Sequence, residues 1–307
     1  MIMKKIVLFI LALGFTLAAG AQNAKSYSEK YDKMVGILGP AGVGMETILN
    51  GWEKADSTDA KMLKARYLYH FTKSRSTEVV TKETATYLGK EPLMTLKDTL
   101  GKDVRYFESP VYDDQVFGKA MQYLDKAITY YPENLDFRFL KAASLMDYEK
   151  ESPDMTLSLL IELAQQNNEN KYKWQFTDVE NPDKEFVEAA IQEYCYTFYK
   201  INSPSSLEAF NKLSLKMLEF NPKNTTFLSN IGSYYQAKSD YKNAIKFYSK
   251  VLKLDPANYP AIKNSCIIAN KTQDKKLLKK YLPMLVKYGS EADKLSAQAR
   301  LDGLNKK

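Results

Sequence analysis

Residues 225–258, TTFLSNIGSYYQAKSDYKNAIKFYSKVLKLDPAN, decide the fold of this 307-residue chain. Apolar residues recur through the stretch at spacings of three and four, which is the period of a helix with one buried face. Gly232 and Ala244 leave room for two helices to approach closely, and Tyr248 supplies bulk beside them. Pro256 ends the second helix because proline cannot continue one. The stretch therefore predicts two antiparallel helices packed against each other.

This pattern resembles a tetratricopeptide repeat (TPR), a 34-residue unit of two helices. The resemblance implies that the pair stacks on neighbouring pairs, since neither helix can bury its apolar face alone. Residues 116–132 repeat the second-helix spacing, with Ala120 and Pro132 at the offsets of Ala244 and Pro256. The fold class implied is all-α, a TPR-type α-solenoid in which helix pairs form a right-handed superhelix.

The rest of the chain is also predicted to be mainly helical, because prolines separate segments with helical apolar spacing. The predicted helices outside the strongest repeat are 24–38, 43–54, 57–74, 116–132, 134–149, 153–167, 183–201, 204–221, 259–271, 274–287 and 290–305. Helix 57–74 is expected to begin at a Ser57-Thr58 cap, and Pro283 to kink or stop helix 274–287. About five repeat-like pairs result, closed by the polar helix 290–305.

Two segments depart from the repeat. Strand-forming residues flank an Asp- and Gly-rich turn between Asp98 and Asp103, which predicts an inserted β-hairpin at 92–108. An isolated hairpin is marginal in water, so it should lie against the repeats or a partner. A second insertion, 168–182, carries Trp174.

The first residues have the order of a secretory signal peptide: a basic end, a short apolar run and an A-x-A site. Residues 1–21 are therefore expected to be removed after Ala21, leaving a single TPR-like domain over 22–307. We expect a periplasmic or secreted protein without stable membrane insertion. No cysteine lies near the cleavage site, so a lipid anchor is not expected. Export argues against nucleic acid as a partner, and the formal charge of +7 fits solvated helix faces.

No constellation in the sequence is typical of catalysis, so we expect no enzyme, no metal and no cofactor. Residues 39–46, GPAGVGME, imitate a phosphate-binding loop, but Met45 and Glu46 replace its lysine and hydroxyl residue. This segment is expected to be a loop between helices. The single histidine, His70, is expected to be packed or half-exposed, and Cys195 and Cys266 to be buried free thiols.

Binding of a protein or peptide remains as the expected function, because the TPR resemblance implies a groove lined by the first helix of each pair. The candidate contacts are Ser229, Ser233, Gln236, Lys263, Asn264, Asn270 and Trp174. Solvated groove residues without a ligand are the alternative for the polar members of this set. The rival function is carbohydrate binding, which would need an exposed aromatic cluster near Trp174. Asp98-Thr99-Leu100 also resembles the O-glycosylation signal of some exported Bacteroidetes proteins.

Overall fold

The computed structural model describes residues 23–305, so the predicted signal peptide at 1–21 lies outside the described residues. Within this range thirteen helices and one three-stranded sheet form, and the predicted all-α class with a small inserted sheet is confirmed. The helices are α1 (23–38), α2 (Met45–Ala55), α3 (Ala60–Ser74), α4 (Asp114–Tyr130), α5 (Leu135–Glu149), α6 (Asp154–Asn168), α7 (Lys184–Ile201), α8 (Pro204–Phe220), α9 (Thr225–Ala237), α10 (Tyr241–Leu254), α11 (Tyr259–Lys271), α12 (Lys275–Tyr288) and α13 (Glu291–Asn305). The strands are β1 (Arg75–Lys82), β2 (Met94–Lys97) and β3 (Asp103–Tyr112).

The described chain divides into two compact units. The N-terminal unit comprises 23–87, 91–148 and 172–183, and the C-terminal unit comprises 88–90, 149–171 and 184–305. The single repeat domain over 22–307 stays a prediction.

In the C-terminal unit, helices pack in the order of the sequence. Each helix from α6 to α13 contacts the next one, and α9 also contacts α7 and α11, the first helices of the neighbouring pairs. Contact with the next helix along the chain, and between the first helices of successive pairs, is the packing expected of stacked helix pairs. The apolar face of each pair is thereby covered by the following pair.

The strongest repeat has the predicted two-helix structure, α9 and α10. Asn224 Oδ1 caps α9 by accepting hydrogen bonds from the backbone N–H groups of Thr226 and Phe227. Asp240 Oδ1 caps α10 by accepting from the backbone N–H of Asn243. Tyr248 is fully buried against Gly232, where a Cβ would lie 2.5 Å from the tyrosine ring. The small residue therefore sets how closely the two helices approach.

Pro283 does not end its helix, so the predicted early stop is wrong. Helix α12 continues through Pro283 to Tyr288. Pro283 is exposed, whereas Tyr281, Leu282 and Leu285 on the other side of the helix are buried. Burial of that apolar face outweighs the one backbone hydrogen bond that proline removes.

The N-terminal unit is built on the pair α3 and α4, whose contact is the most extensive between helices of this unit. The predicted Ser57-Thr58 cap of α3 is wrong, because Asp59 Oδ1 accepts from the N–H groups of Lys61 and Met62. The Thr58 hydroxyl donates instead to Asp56 Oδ1 at 2.8 Å. A carboxylate that can accept two N–H groups is the better cap here.

The inserted hairpin is present as β2 and β3, but it belongs to a three-stranded antiparallel sheet of order β1-β3-β2. Strand β1 follows α3 directly and pairs with β3 from Arg75 opposite Tyr112 to Lys82 opposite Arg105. No turn residues separate this strand from the helix, which is why the sequence pattern missed it. Tyr87 and Phe107 pack edge to face, 5.8 Å apart, against the sheet.

The segment that imitates a phosphate-binding loop connects α1 and α2, as predicted. Gly39 and Gly44 have φ angles of 71° and 84°, a left-handed conformation that glycine adopts without strain. Met45 is fully buried, and Glu46 accepts a hydrogen bond from the Tyr69 hydroxyl. Both residues after the glycines therefore have roles in packing.

Both cysteines are buried free thiols, which confirms the prediction. Burial raises the pKa of Cys195 and of Cys266 to about 12. Neither thiol is therefore ionised to a useful extent at neutral pH.

We predict that Gly232→Ala destabilises the protein by about 1–3 kcal/mol, because the new methyl group would overlap the buried Tyr248 ring. The matched control is Gly118→Ala in α4, where no atom lies within 4 Å of the added Cβ. That change should stabilise by about 0.5–1 kcal/mol, since alanine is the better helix former. Urea denaturation of the two variants measures both effects. Equal urea midpoints for Gly232→Ala and Gly118→Ala would contradict the close approach of the two helices at Gly232.

Candidate functional site

In the C-terminal unit, the first helices of three successive pairs, α7, α9 and α11, lie side by side. A surface cavity of about 330 Å³ lies at the C-terminal ends of these helices. Its lining is formed by Tyr199, Asn202, Gln236, Ala237, Ser239, Tyr241, Ile267, Ile268 and Lys271. We call this cavity the groove pocket.

The groove pocket is polar and carries a single formal charge, on Lys271. A hydrogen bond with Lys271 lowers the pKa of Tyr241, and the ammonium lies 5.5 Å from the tyrosine ring centre. Ile267 is 44% exposed and adds one apolar contact surface. The pocket can therefore offer hydrogen bonds to amide groups, one apolar contact and one positive charge.

Three of the predicted contact residues meet at the hydroxyl group of Tyr248. This oxygen lies 3.1 Å from Ser233 Oγ, donates to Gln236 Oε1 at 3.0 Å, and shares a hydrogen bond with Asn264. The Tyr248 ring is fully buried, and burial raises its pKa. A buried hydroxyl needs such partners, so these side chains contribute to the packing of the repeat as well as to its surface.

Lys263 links α11, the first helix of the last pair, to the terminal helix α13. Its ammonium contacts the Tyr259 hydroxyl at 3.0 Å and Asp293 Oδ2 at 3.2 Å, and Tyr259 also bonds to Asp293. These bonds, with one from Ser290, lower the pKa of Asp293 to about 2. Lys263 therefore fastens the terminal helix α13 to α11.

The two remaining polar candidates, Ser229 and Asn270, are half-buried on α9 and α11. Asn270 Oδ1 is buried and has no hydrogen-bond partner among residues 23–305. Gln236 is the member of the predicted set that lines the groove pocket. The sequence prediction did not include Ile267 and Lys271, although both lie on α11, the helix that carries three of the predicted contacts.

Trp174 lies in the N-terminal unit, whereas the other candidates lie in the C-terminal unit. Its side chain is only 5% exposed. The ring lies 5.3 Å from Tyr172 and 5.4 Å from the Arg138 guanidinium, which donates to the Pro132 carbonyl. The tryptophan therefore packs the insertion against α5 rather than forming an exposed stacking surface.

The described part of the chain contains no group of three His, Cys, Asp or Glu side chains placed to hold a metal ion. None of its helices combines the length and apolar character needed to cross a bilayer.

Comparison with known proteins bears on the strongest repeat. Residues 226–258 match the family model of the tetratricopeptide repeat. This segment is therefore similar in sequence to a tetratricopeptide repeat. The TPR match covers α9 and α10, the pair in which Gly232 meets Tyr248. No curated protein matches the chain by sequence.

Two solved structures show weak similarity to the chain. The protein MamA, residues 41 to the end, from Desulfovibrio magneticus RS-1 has 16% identity and a TM-score of 0.32, over 77% of this chain and 97% of that one. The protein pilF of Pseudomonas aeruginosa has 11% identity and a TM-score of 0.32, over 94% of this chain and 98% of that one. This level of similarity carries no functional argument.

We predict that Asp293→Asn lowers stability at neutral pH and that its effect shrinks in acid. The folded-state pKa of about 2 lies below the unfolded value of about 3.9, so the stabilisation is present above about pH 4. It is lost as the pH falls through about 2, where Asp293 becomes protonated in both states. Urea midpoints of both proteins from pH 6 to pH 2 measure this convergence.

Tyr259→Phe is the companion variant, because the Tyr259 hydroxyl is the largest cause of the lowered pKa. It should weaken the pH dependence that Asp293 contributes. A gap between wild type and Asp293→Asn that stays constant down to pH 2 would contradict the network.

Proposed function

We propose that this protein is an exported, non-enzymatic TPR scaffold that binds a protein or peptide segment on the face formed by α7, α9 and α11. The observation that supports this most directly is the groove pocket, which opens where the first helices of three successive pairs end side by side. One of those helices belongs to the matched repeat. Parallel first helices present a continuous surface that an extended chain can follow.

The chemistry of the groove pocket fits an extended peptide. Asn202, Gln236 and Ser239 carry donors and acceptors that match the backbone N–H and C=O groups of a bound chain. Ile267 would contact an apolar side chain, and Lys271 would pair with a carboxylate. The ligand proposed is therefore a peptide segment with one apolar and one acidic residue.

Carbohydrate binding is the weaker alternative. Sugar recognition by aromatic stacking needs an exposed ring face, and Trp174 was the candidate for it. Its burial against Tyr172 and Arg138 leaves little ring surface for a sugar. The peptide proposal does not depend on this residue.

The binding experiment has two steps. The chain beginning at Gln22 is used to capture partners from the cell envelope, and the captured protein is then titrated pairwise by calorimetry. We expect Ile267→Gln to weaken this pairwise binding by about tenfold, since an apolar contact of about 1–2 kcal/mol is lost.

Leu215→Gln is the matched control, because Leu215 is also 44% exposed but lies on α8, a second helix. It should leave the affinity unchanged. An equal loss in both variants, or none in Ile267→Gln, would exclude the groove pocket as the binding site.

Export is tested separately. We expect the protein from periplasmic or secreted fractions to begin at Gln22 on N-terminal sequencing, because the A-x-A site ends at Ala21. A chain that retains residues 1–21 in the cytoplasm would contradict this part of the proposal and leave the peptide site open to the first experiment.

A further inference from the structure

The N-terminal unit contains a second polar pocket, of about 370 Å³, between α2, α3 and α4. Three cations, Arg66, Lys119 and Lys126, and two carboxylates, Glu46 and Glu53, line it together with His70. We call it the α2–α4 pocket. It lies in a different unit from the groove pocket.

Both carboxylates of the α2–α4 pocket already have donors within the protein. Glu53 Oε2 lies 2.7 Å from Arg66 Nη2 and accepts from the Tyr123 hydroxyl at 3.1 Å. Glu46 Oε2 accepts from the Tyr69 hydroxyl at 3.0 Å. The negative charge of the pocket is therefore largely engaged by the protein itself.

Arg66 is held in a fixed position at the base of this arrangement. It is only 5% exposed, and its Nη2 also donates to Asn50 Oδ1 at 2.6 Å. Its Nε is buried and has no hydrogen-bond partner in the described part of the chain. Glu53 balances the charge of this guanidinium, so the cost that remains is that of one buried N–H donor left unpaired.

Lys119 and Lys126 are the two cations of the pocket that have no ion-pair partner among residues 23–305. Lys119 and Lys126 lie seven residues apart on α4, which places them on the same side of the helix. Neither forms an ion pair with any residue between 23 and 305, and Lys126 lies 5.1 Å from the centre of the Tyr123 ring. Three cations against two engaged carboxylates leave an excess of one positive charge.

His70 reports the electrostatics of the pocket. Its ring stacks on Tyr123 at 5.5 Å and meets the edge of Tyr69. Burial lowers the pKa of His70, and the positive charges of Arg66, Lys119 and Lys73 lower it further, whereas Glu46 opposes them. The pocket therefore favours the neutral imidazole, and a negative charge brought into it would raise the pKa of His70.

We propose that the α2–α4 pocket binds a carboxylate group of an acidic peptide segment, held by Lys119 and Lys126 beside the Arg66 guanidinium. An excess of one positive charge matches a single carboxylate. A phosphate dianion fits less well, because the nearby Glu46 and Glu53 would repel its second charge. The Asn50 amide, whose Oδ1 accepts from Arg66, can donate its N–H groups to a C=O group of the peptide backbone.

The test uses His70 as the probe, because it is the only histidine and its ring resonances need no assignment against others. The whole chain is titrated at low salt with blocked tetraglutamate, with blocked tetraglutamine as the uncharged match and inorganic phosphate as the alternative anion. We expect tetraglutamate alone to shift the His70 resonances to saturation and to raise the pKa of His70. The effect should fall with added salt, because one partner is an exposed lysine pair.

Two variants locate the effect. Lys119→Gln should weaken tetraglutamate binding up to about fivefold, as expected when one exposed ion pair is lost. In the free protein it should also raise the pKa of His70, since a neighbouring positive charge is removed. Lys64→Gln is the matched control, an exposed lysine on α3 that does not line the pocket, and it should change neither value.

Four results would overturn the proposal: no response of His70 to millimolar tetraglutamate, an equal response to tetraglutamine, an equal or larger response to phosphate, or equal losses in Lys119→Gln and Lys64→Gln. Ile267→Gln should leave this binding unchanged, because Ile267 lies in the C-terminal unit. Failure at the groove pocket and failure at the α2–α4 pocket are therefore separate outcomes.

Discussion

The packing of the Tyr248 ring against Gly232 is the contact on which the repeat at 225–258 depends. The ring fills the space that the missing side chain leaves, which fixes the distance between α9 and α10. Its hydroxyl group then needs polar partners, and Ser233, Gln236 and Asn264 provide them from α9 and α11. One tyrosine thereby links the packing inside the pair to the helix that follows it.

Much of the fold could be predicted from the sequence, because helix spacing, caps and prolines are local features. The helix boundaries differ from prediction by only a few residues. The errors occurred where tertiary contacts outweigh local preference. Helix α12 continues through Pro283 because its other side is buried, and β1 forms because β3 is available to pair with it.

The site was harder to predict, because a polar residue on a helix face has the same sequence pattern whether it meets solvent or another side chain. Lys263 was chosen as a groove contact, yet it bonds to Asp293 of the terminal helix. Trp174 was chosen because it lies in an insertion, and the structure buries it beside Arg138. The sequence does not indicate that Arg66 and His70 share a pocket, because that pocket is assembled from three helices.

The sheet inserted between α3 and α4 has a consequence for the order of folding. Helices α9 and α10 are joined by a turn at 238–240, so their contact closes only a short loop. The contact of α3 with α4 must close the whole 75–113 segment, where the Asp113 N–H bonds to the Ser74 carbonyl. Loop closure becomes entropically less favourable with length, and non-local contacts slow folding. We therefore expect the α9–α10 pair to form earlier in folding than the α3–α4 pair, whose intervening segment is closed by the pairing of β1 with β3.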